Sequence, residues 1–309
     1  LYILYCCRKT ITCFCKIHRQ KEVNYKKVSA YIPCYNNSIT LRKSIRSIKE
    51  QSHPVDEFFI IDDGSTDLSE RIAIEENVRF IKNVANKGRG YTRAKAIELT
   101  NNEIVLCCDA TNIIENDFLK KSLSLFNDKN VSAVYGKISS FNKSGSLNKW
   151  RSRHLFKEDA HTDYSPQPTD LLITYGAVMR KSHILSVGNF NKNLRHTEDG
   201  DLGKRLLRSN YKLIWYPSLK VQSIINNSLS EVLERYWRWY IGKDEIMTFK
   251  DYIHAIKASI KPMAQLDLEN KEWCCAIISI ICPHYCLFKS VLGRIKKLKK
   301  KPANISHLT

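Results

Sequence analysis

The 309-residue chain is 43% hydrophobic and carries 50 Lys and Arg against 31 Asp and Glu, a formal net charge of +19. That length and apolar content argue against a disordered chain and suit one large domain or one domain with an appendage. The charge asks for an anionic partner, whether nucleic acid, an acidic membrane surface or a phosphorylated substrate.

The chain opens with an extension, residues 1–27, in which an apolar stretch from Leu1 to Cys7 precedes Arg8 and Lys9. That stretch alone is too short to span a bilayer and reads either as the tail of a membrane segment or, more simply, as an extension. The 11 cysteines include no Cys-x-x-Cys pair and no ordered spacing to a histidine, which argues against zinc. Many lie in apolar runs, as free thiols do in a reducing compartment.

From Val28 onward, short apolar runs alternate with helical patterns, the rhythm of repeated βα units. A strand over residues 28–33 leads into the loop Pro33-Cys34-Tyr35-Asn36-Asn37-Ser38, and Leu41, Ile45 and Ile48 mark one face of the next helix. A second strand, 57–61, ends in Asp62-Asp63-Gly64-Ser65, which reads either as a turn with a helix cap or as a pair of ligand carboxylates. A third strand, 79–81, is followed by the loop Asn86-Lys87-Gly88-Arg89-Gly90 and a helix over 91–100. The run Ile104 to Cys108 is apolar throughout, as in a strand covered on both faces, and Asp109 emerges at its carboxyl end, where open α/β sheets bind ligands.

The chemistry of these strand ends excludes a dinucleotide fold. The first loop holds no glycine, Gly88-x-Gly90 lacks a third glycine, and no Gly-x-x-x-x-Gly-Lys-Ser/Thr loop occurs. Carboxylates at Asp62, Asp63 and Asp109 suit a base edge, ribose hydroxyls or a cation bridging phosphates.

The ordered set Ala30-Tyr31-Ile32-Pro33-Cys34-Tyr35-Asn36, Ile60 to Asp67, Asn86-Lys87-Gly88 and Asp109-Ala110-Thr111-Asn112 resembles the nucleotide-sugar half of family-two glycosyltransferases. The fold this implies is GT-A, a Rossmann-like mixed α/β sheet flanked by helices. The resemblance places Pro33, Tyr35, Asn36, Asp63, Lys87, Asp109 and Thr111 around the donor, with Tyr35 flanking the nucleobase and Asp63 accepting a hydrogen bond from it. Asp109 would open an Asp-x-Asp motif that holds ribose and a divalent Mg²⁺ or Mn²⁺ on the diphosphate. Thr111 stands where the second acid belongs, which weakens a metal site built on Asp109, and Thr111 and Asn112 also read as a helix cap.

A helix through Phe126 and a strand over 131–138 close the donor half, residues 28–138. Residues 139–168 show no periodicity and are expected to form an acceptor-side loop or lid, with His154 and His161 on its surface. The acceptor half, 139–250, then resembles the same family through Ile173 to Arg180, with Gly176 on the acceptor side, and through His196-Thr197-Glu198-Asp199-Gly200-Asp201. Thr197-Glu198-Asp199 matches the motif whose aspartate is the catalytic base, which assigns catalysis to Asp199 with Glu198 beside it. Asp201 and Arg205 read instead as an i,i+4 pair on a helix.

Arg235-Tyr236-Trp237-Arg238-Trp239 resembles the Gln-x-x-Arg-Trp motif of polysaccharide synthases, with Arg235 in place of Gln. The resemblance gives Arg238 the departing diphosphate and Trp239 the acceptor sugar. Residues 251–309 are expected to form a C-terminal appendage: an apolar segment from Trp273 to Phe288, too short to span, backed by Arg294, Lys296, Lys297, Lys299, Lys300 and Lys301. Such a segment suits peripheral or monotopic attachment to an anionic membrane surface on its cytoplasmic face.

The expectation is therefore an inverting transferase moving a sugar from a nucleotide sugar, UDP-linked, to a glycan or lipid-linked acceptor, with no nucleic acid partner. The alternatives are a catalytically silent member that binds nucleotide sugar or glycan, which Thr111 would favour, and a basic nucleic-acid-binding protein.

Overall fold

The computed structural model describes residues 26–158, 163–241 and 247–299. Residues 1–25 of the extension, His161, Lys300 and Lys301 lie outside the described residues, as do the side chains of Lys296, Lys297 and Lys299.

The strands are β1 (Val28–Cys34), β2 (Glu57–Asp62), β3 (Arg79–Lys82), β4 (Ile104–Cys108), β5 (Asn112–Ile114), β6 (Val131–Ser140), β7 (Gln167–Pro168), β8 (Gly176–Arg180) and β9 (Lys212–Ser223). They form a single sheet in the order β3-β2-β1-β4-β8-β6-β9-β5, with β7 beside β9. The helices are α1 (Ser38–Lys49), α2 (Ser69–Glu75), α3 (Arg89–Leu99), α4 (Phe118–Leu123), α5 (Ser146–Trp150), α6 (Lys181–Ser186), α7 (Glu198–Arg208), α8 (Leu229–Ile241), α9 (Phe249–Ala258), α10 (Gln265–Glu269) and α11 (Trp273–Lys299).

The first strands are parallel, β1 pairing with both β2 and β4, because each is joined to the next through a helix that crosses over the sheet. Side chains alternate between two cores, as the two-residue repeat of a strand requires. On one face, Val28, Ala30 and Ile32 of β1 and Ile104, Leu106 and Cys108 of β4 meet Leu41, Ile45 and Ile48 of α1. On the other, Tyr31, Val105 and Cys107 meet Ala94 and Ile97 of α3 and Leu202 and Leu206 of α7. The apolar run in β4 has no polar alternation because both of its faces are covered.

Beyond β4 the sheet turns mixed. β8 runs antiparallel to β4, placing Gly176 opposite Cys108. The carboxyl ends of β1, β2 and β4 therefore share one edge with the start of β8, and Asp109 is the first residue past that edge.

The expected loop over 139–168 proves partly helical. β6 runs on to Ser140, α5 follows, and a π-helical turn covers Arg151–Leu155. Trp150, fully buried, packs with Val232, Leu233, Tyr236 and Trp237 of α8 and with Ala255, Cys275, Ile278, Cys282 and Cys286 of α9 and α11 in a third core. His154 is a packed residue and no free surface histidine: its Nε2 lies 2.8 Å from Asp267 Oδ1. That buried carboxylate also accepts Arg153 Nη1 at 2.5 Å and Ser279 Oγ at 2.6 Å, while Trp150 Nε1 donates to Ser279 Oγ at 2.8 Å.

The apolar C-terminal segment is also longer than the charge pattern implies. α11 continues through Pro283, and Trp273–Ile295 is long and apolar enough to cross a membrane by length and composition. A proline within a helix removes one backbone donor without ending the helix where packing holds both sides.

Candidate active site

The site gathers at the sheet edge around Asp109. Its backbone N–H donates to Tyr175 O at 3.2 Å, which ties the end of β4 to the start of β8. Oδ1 of Asp109 accepts Arg93 Nη2 at 2.7 Å. Arg93 is itself 2% exposed, donating through Nε to Glu198 Oε1 at 3.0 Å and through Nη1 to Cys107 Sγ at 2.7 Å. One buried guanidinium thus links α3, β4 and α7, and its planar fork satisfies partners on different elements as a lysine could not.

Asp199 follows Glu198 at the start of α7. Thr197, which precedes them, stands in the left-handed region at φ 62, a conformation that β-branched residues rarely adopt. Asp199 Oδ1 accepts the Gly200 N–H at 2.9 Å and Oδ2 lies 3.4 Å from Thr174 Oγ1. Burial, and then the Glu198 carboxylate beside it, push the Asp199 carboxyl above its ordinary value of 3.8, partly offset by Arg93. Asp201 makes the expected pair with Arg205, at 2.8 Å.

On the donor side, Tyr35 is 47% exposed just past β1. Asn36 also has positive φ, and its side chain closes the loop by accepting the Thr66 N–H at 2.9 Å. Asp62 serves the turn, receiving the Gly64 and Ser65 amides at 3.1 and 2.8 Å. Asp63 is buried and takes the Lys87 and Gly88 amides at 2.8 and 2.7 Å and Asn83 Nδ2 at 3.1 Å. Its carboxylate therefore anchors the Asn86-Lys87-Gly88 loop beside Tyr35. Gly88, at φ 95, allows that loop to double back. Pro33 lies within β1, paired with Ile61.

Several assigned positions have structural work of their own. Thr111 O accepts the Ile224 N–H at 2.9 Å, and Asn112 begins β5 with its side chain donating to Tyr175 O at 3.0 Å, so neither caps a helix. Gly176 is a packing residue: a Cβ there would stand 2.7 Å from Val221 Cγ2. Trp239 is 53% exposed on α8, whereas Trp237 is buried under Lys289.

A set of arginines borders the same edge. Arg89 opens α3 one turn before Arg93, on the same helical face. Arg235 and Arg238 lie three apart on α8. Burial, then Arg151, Arg89 and Arg238, push the Arg235 guanidinium down to about 10, with Asp109 acting the other way. It is still a cation at neutral pH. Arg151 Nη1 donates to Ile225 O at 3.0 Å and to the Asn227 side chain, both neutral acceptors.

Arg93 was missed in the sequence. Its signal was faint: an arginine beside Ala94, Ala96 and Ile97 on the inward face of a helix, where a charge persists only with partners.

Residues 29–188, just over half of the chain, match the family model described as Glycosyl transferase family 2. The hyaluronan synthase of Streptococcus pyogenes is 31% identical over 132 residues, covering 39% of this chain and 32% of the relative. The poly-beta-1,6-N-acetyl-D-glucosamine synthase of Staphylococcus epidermidis is 23% identical over 273 residues, covering 86% of this chain and 65% of the relative. The chain thus spans less than two thirds of either relative's length. Among solved structures, a mannosyltransferase from Pyrobaculum calidifontis in complex with GDP-Man and Mn²⁺ superposes with a TM-score of 0.55 at 14% identity, over 90% of this chain and 76% of that one. GalNAc-T7 with UDP, GalNAc and Mn²⁺ gives 0.54 at 16% identity, over 82% and 55%. At such identities these likenesses show the fold alone, and that fold is GT-A.

Proposed function

The chain belongs to glycosyl transferase family 2, and from that premise we propose that it transfers a sugar from a UDP-linked donor to a glycan or lipid-linked acceptor with inversion, in polysaccharide or cell-envelope assembly. The observation that carries this reading is the Arg93 bridge, which brings Asp109, at the donor edge, and Glu198, beside Asp199, onto one guanidinium from 89 residues apart in sequence.

In this reading Tyr35 covers the nucleobase and the Asp63-anchored loop with Lys87 closes over the nucleotide. Asp109 faces the ribose and diphosphate. Asp199 takes the proton of the acceptor hydroxyl as its oxygen attacks the anomeric carbon, and the bond from that carbon to the diphosphate oxygen breaks on the opposite face. The raised affinity of Asp199 for protons suits this role, since a base must be both ionised and willing to accept. Arg238 receives charge on the leaving diphosphate and Trp239 lies against the acceptor sugar.

A divalent ion does not fit the residues present. Asp109 offers one oxygen, the other being held by Arg93, and the position of the second acid holds Thr111, whose neutral hydroxyl is a weaker ligand than a carboxylate.

The membrane reading rests on α11. Cys275, Ile278, Cys282 and Cys286 face the third core, while Trp273, Ile277, Ile280, Phe288, Val291 and Ile295 are exposed in a stripe at helical spacing. A helix packed along one side and apolar along the other suits an interfacial, monotopic seat, here on an anionic cytoplasmic leaflet.

The test is transfer from a panel of UDP and GDP sugars, followed by release of the nucleotide. Asp199→Asn should abolish transfer and retain donor binding; full turnover by that variant would remove Asp199 as the base. Measurable nucleotide binding without turnover of any donor would favour the silent, sugar-binding member.

A further inference from the structure

The acids that open α7 are delivered by a strap. Residues 189–197 run back along α3, against the direction of the helix, and touch it along its length. Asn189 Nδ2 donates to Ala94 O at 3.0 Å, and Lys192 pairs with Glu98 at 2.8 Å and lies 6.0 Å from the centre of the Tyr91 ring. Nearer the start of the helix, Leu194 O accepts the Gly90 N–H at 2.9 Å. That donor belongs to the first turn, where an α-helix offers its own N–H groups no partner. The Arg195 side chain then reaches the Asn86 carboxamide, and Thr197 turns into α7 at φ 62.

The contact at Gly90 is the tightest on the strap. A Cβ there would stand 2.1 Å from Asn191 O and 2.6 Å from Leu194 O, so only glycine fits while the strap lies where it does. Gly88 meets the same segment, since a Cβ on it would stand 3.0 Å from Arg195 Cγ. The Gly88-x-Gly90 spacing, which fits no dinucleotide motif, has its physical reason in this close approach. Lys87 and Gly88 in turn give their amides to Asp63. The loop assigned to the nucleotide and the segment that carries Glu198 and Asp199 therefore share one backbone track.

We propose that this strap fixes where Asp199 stands against the donor, with Gly90 and Arg195 as positioning residues that act on transfer through it. This rests on the nucleotide-sugar reading above. Ala94 and Ile97 pin α3 to the sheet, whereas Lys192, Asn193 and Arg195 are exposed, so a side chain added at Gly90 displaces the strap and leaves the helix in place. Opening the 2.1 Å contact to the 3.0 Å that a Cβ needs moves the strap by about 0.9 Å. A misplacement of about 1 Å, even remote from the chemistry, costs about 100-fold in rate. Tyr35 and Asp63 belong to the sheet edge and keep their places.

Rates of transfer and calorimetric titrations with UDP and GDP, both on the full chain, test this. With whichever donor of the UDP- and GDP-sugar panel the unmodified chain uses, Gly90→Ala should lower kcat about 100-fold, while nucleotide affinity changes by less than about threefold. Arg195→Ala alters an exposed side chain and should lower kcat about two- to tenfold at unchanged affinity, the scale of one hydrogen bond. Unchanged kcat in a folded Gly90→Ala chain overturns the proposal; if that variant does not fold, unchanged kcat in Arg195→Ala does so. A loss of nucleotide affinity that matches the loss of rate also overturns it, because Gly90 would then be a donor contact. Each of these results leaves the nucleotide-sugar reading standing. An unmodified chain that turns over no donor of the panel removes the transfer reading and this proposal with it.

Discussion

Arg93 Nη2 lies 2.7 Å from Asp109 Oδ1, and this contact is nearly closed to solvent on the arginine side. Removing the guanidinium would strand Asp109 and the buried Glu198 together. Arg93→Ala should cost about 3–5 kcal/mol of stability, the range for one partner lost from a buried pair. Arg93→Lys should recover only part of it, because an ammonium cannot reach Asp109, Glu198 and Cys107 in the same geometry. Thermal unfolding of the variants measures both, and a melting temperature unchanged in Arg93→Ala would contradict the bridge.

The rate of transfer should fall on the acid side with a midpoint above the ordinary aspartate value. The sign follows from Asp199: burial and the Glu198 charge raise its affinity for protons, so the ionised base is lost earlier as pH falls. Glu198→Gln removes the neighbouring negative charge and leaves Arg93 less neutralised, and both changes favour ionised Asp199. The acid limb of kcat/KM should move to lower pH in that variant. A limb that stays in place would separate Glu198 from the titration.

Asp267 should control the docking of the C-terminal helices. Burial works against its charge, but bonds from His154, Ser279 and Arg153 outweigh that and hold the carboxyl below its ordinary value of 3.8. A depressed carboxyl stabilises the fold above its unfolded pKa and ceases to do so as pH falls through the folded one. The third core should therefore loosen in acid, below about pH 4. Asp267→Ala should cost about 3–5 kcal/mol at neutral pH, and so should Trp150→Ala through the cavity it leaves. Chemical denaturation followed by tryptophan fluorescence reports both.

The exposed stripe of α11 should carry membrane attachment. Ile277 and Ile280 are 58% and 47% exposed, so charges placed there do not enter the core. Ile277→Glu with Ile280→Glu should reduce flotation with anionic vesicles about tenfold or more, since each isoleucine contributes about 1.5–3 kcal/mol when buried in an apolar phase. Equal flotation of the variant would show that another surface holds the membrane.

The donor half was readable because its signals are local. Unbroken apolar runs marked β1, β2 and β4, and Asp63 and Asp109 followed them by position alone. The acceptor half was less so. β7 is only two residues long, and the packing of Trp150 against α8 and α11 depends on contacts more than 80 residues apart, which no periodicity encodes.

By itself, then, the sequence determined that successive strands would be covered on both faces and would end in acids, because hydrophobic spacing and strand register are properties of neighbouring residues. Only the tertiary structure decided what those acids meet. It turned Asp63 into the anchor of its own loop and joined Asp109 to Glu198 through Arg93. The physical reason is that a charge taken from water must find its partner in three dimensions, and the partner found is set by which helices the sheet brings together.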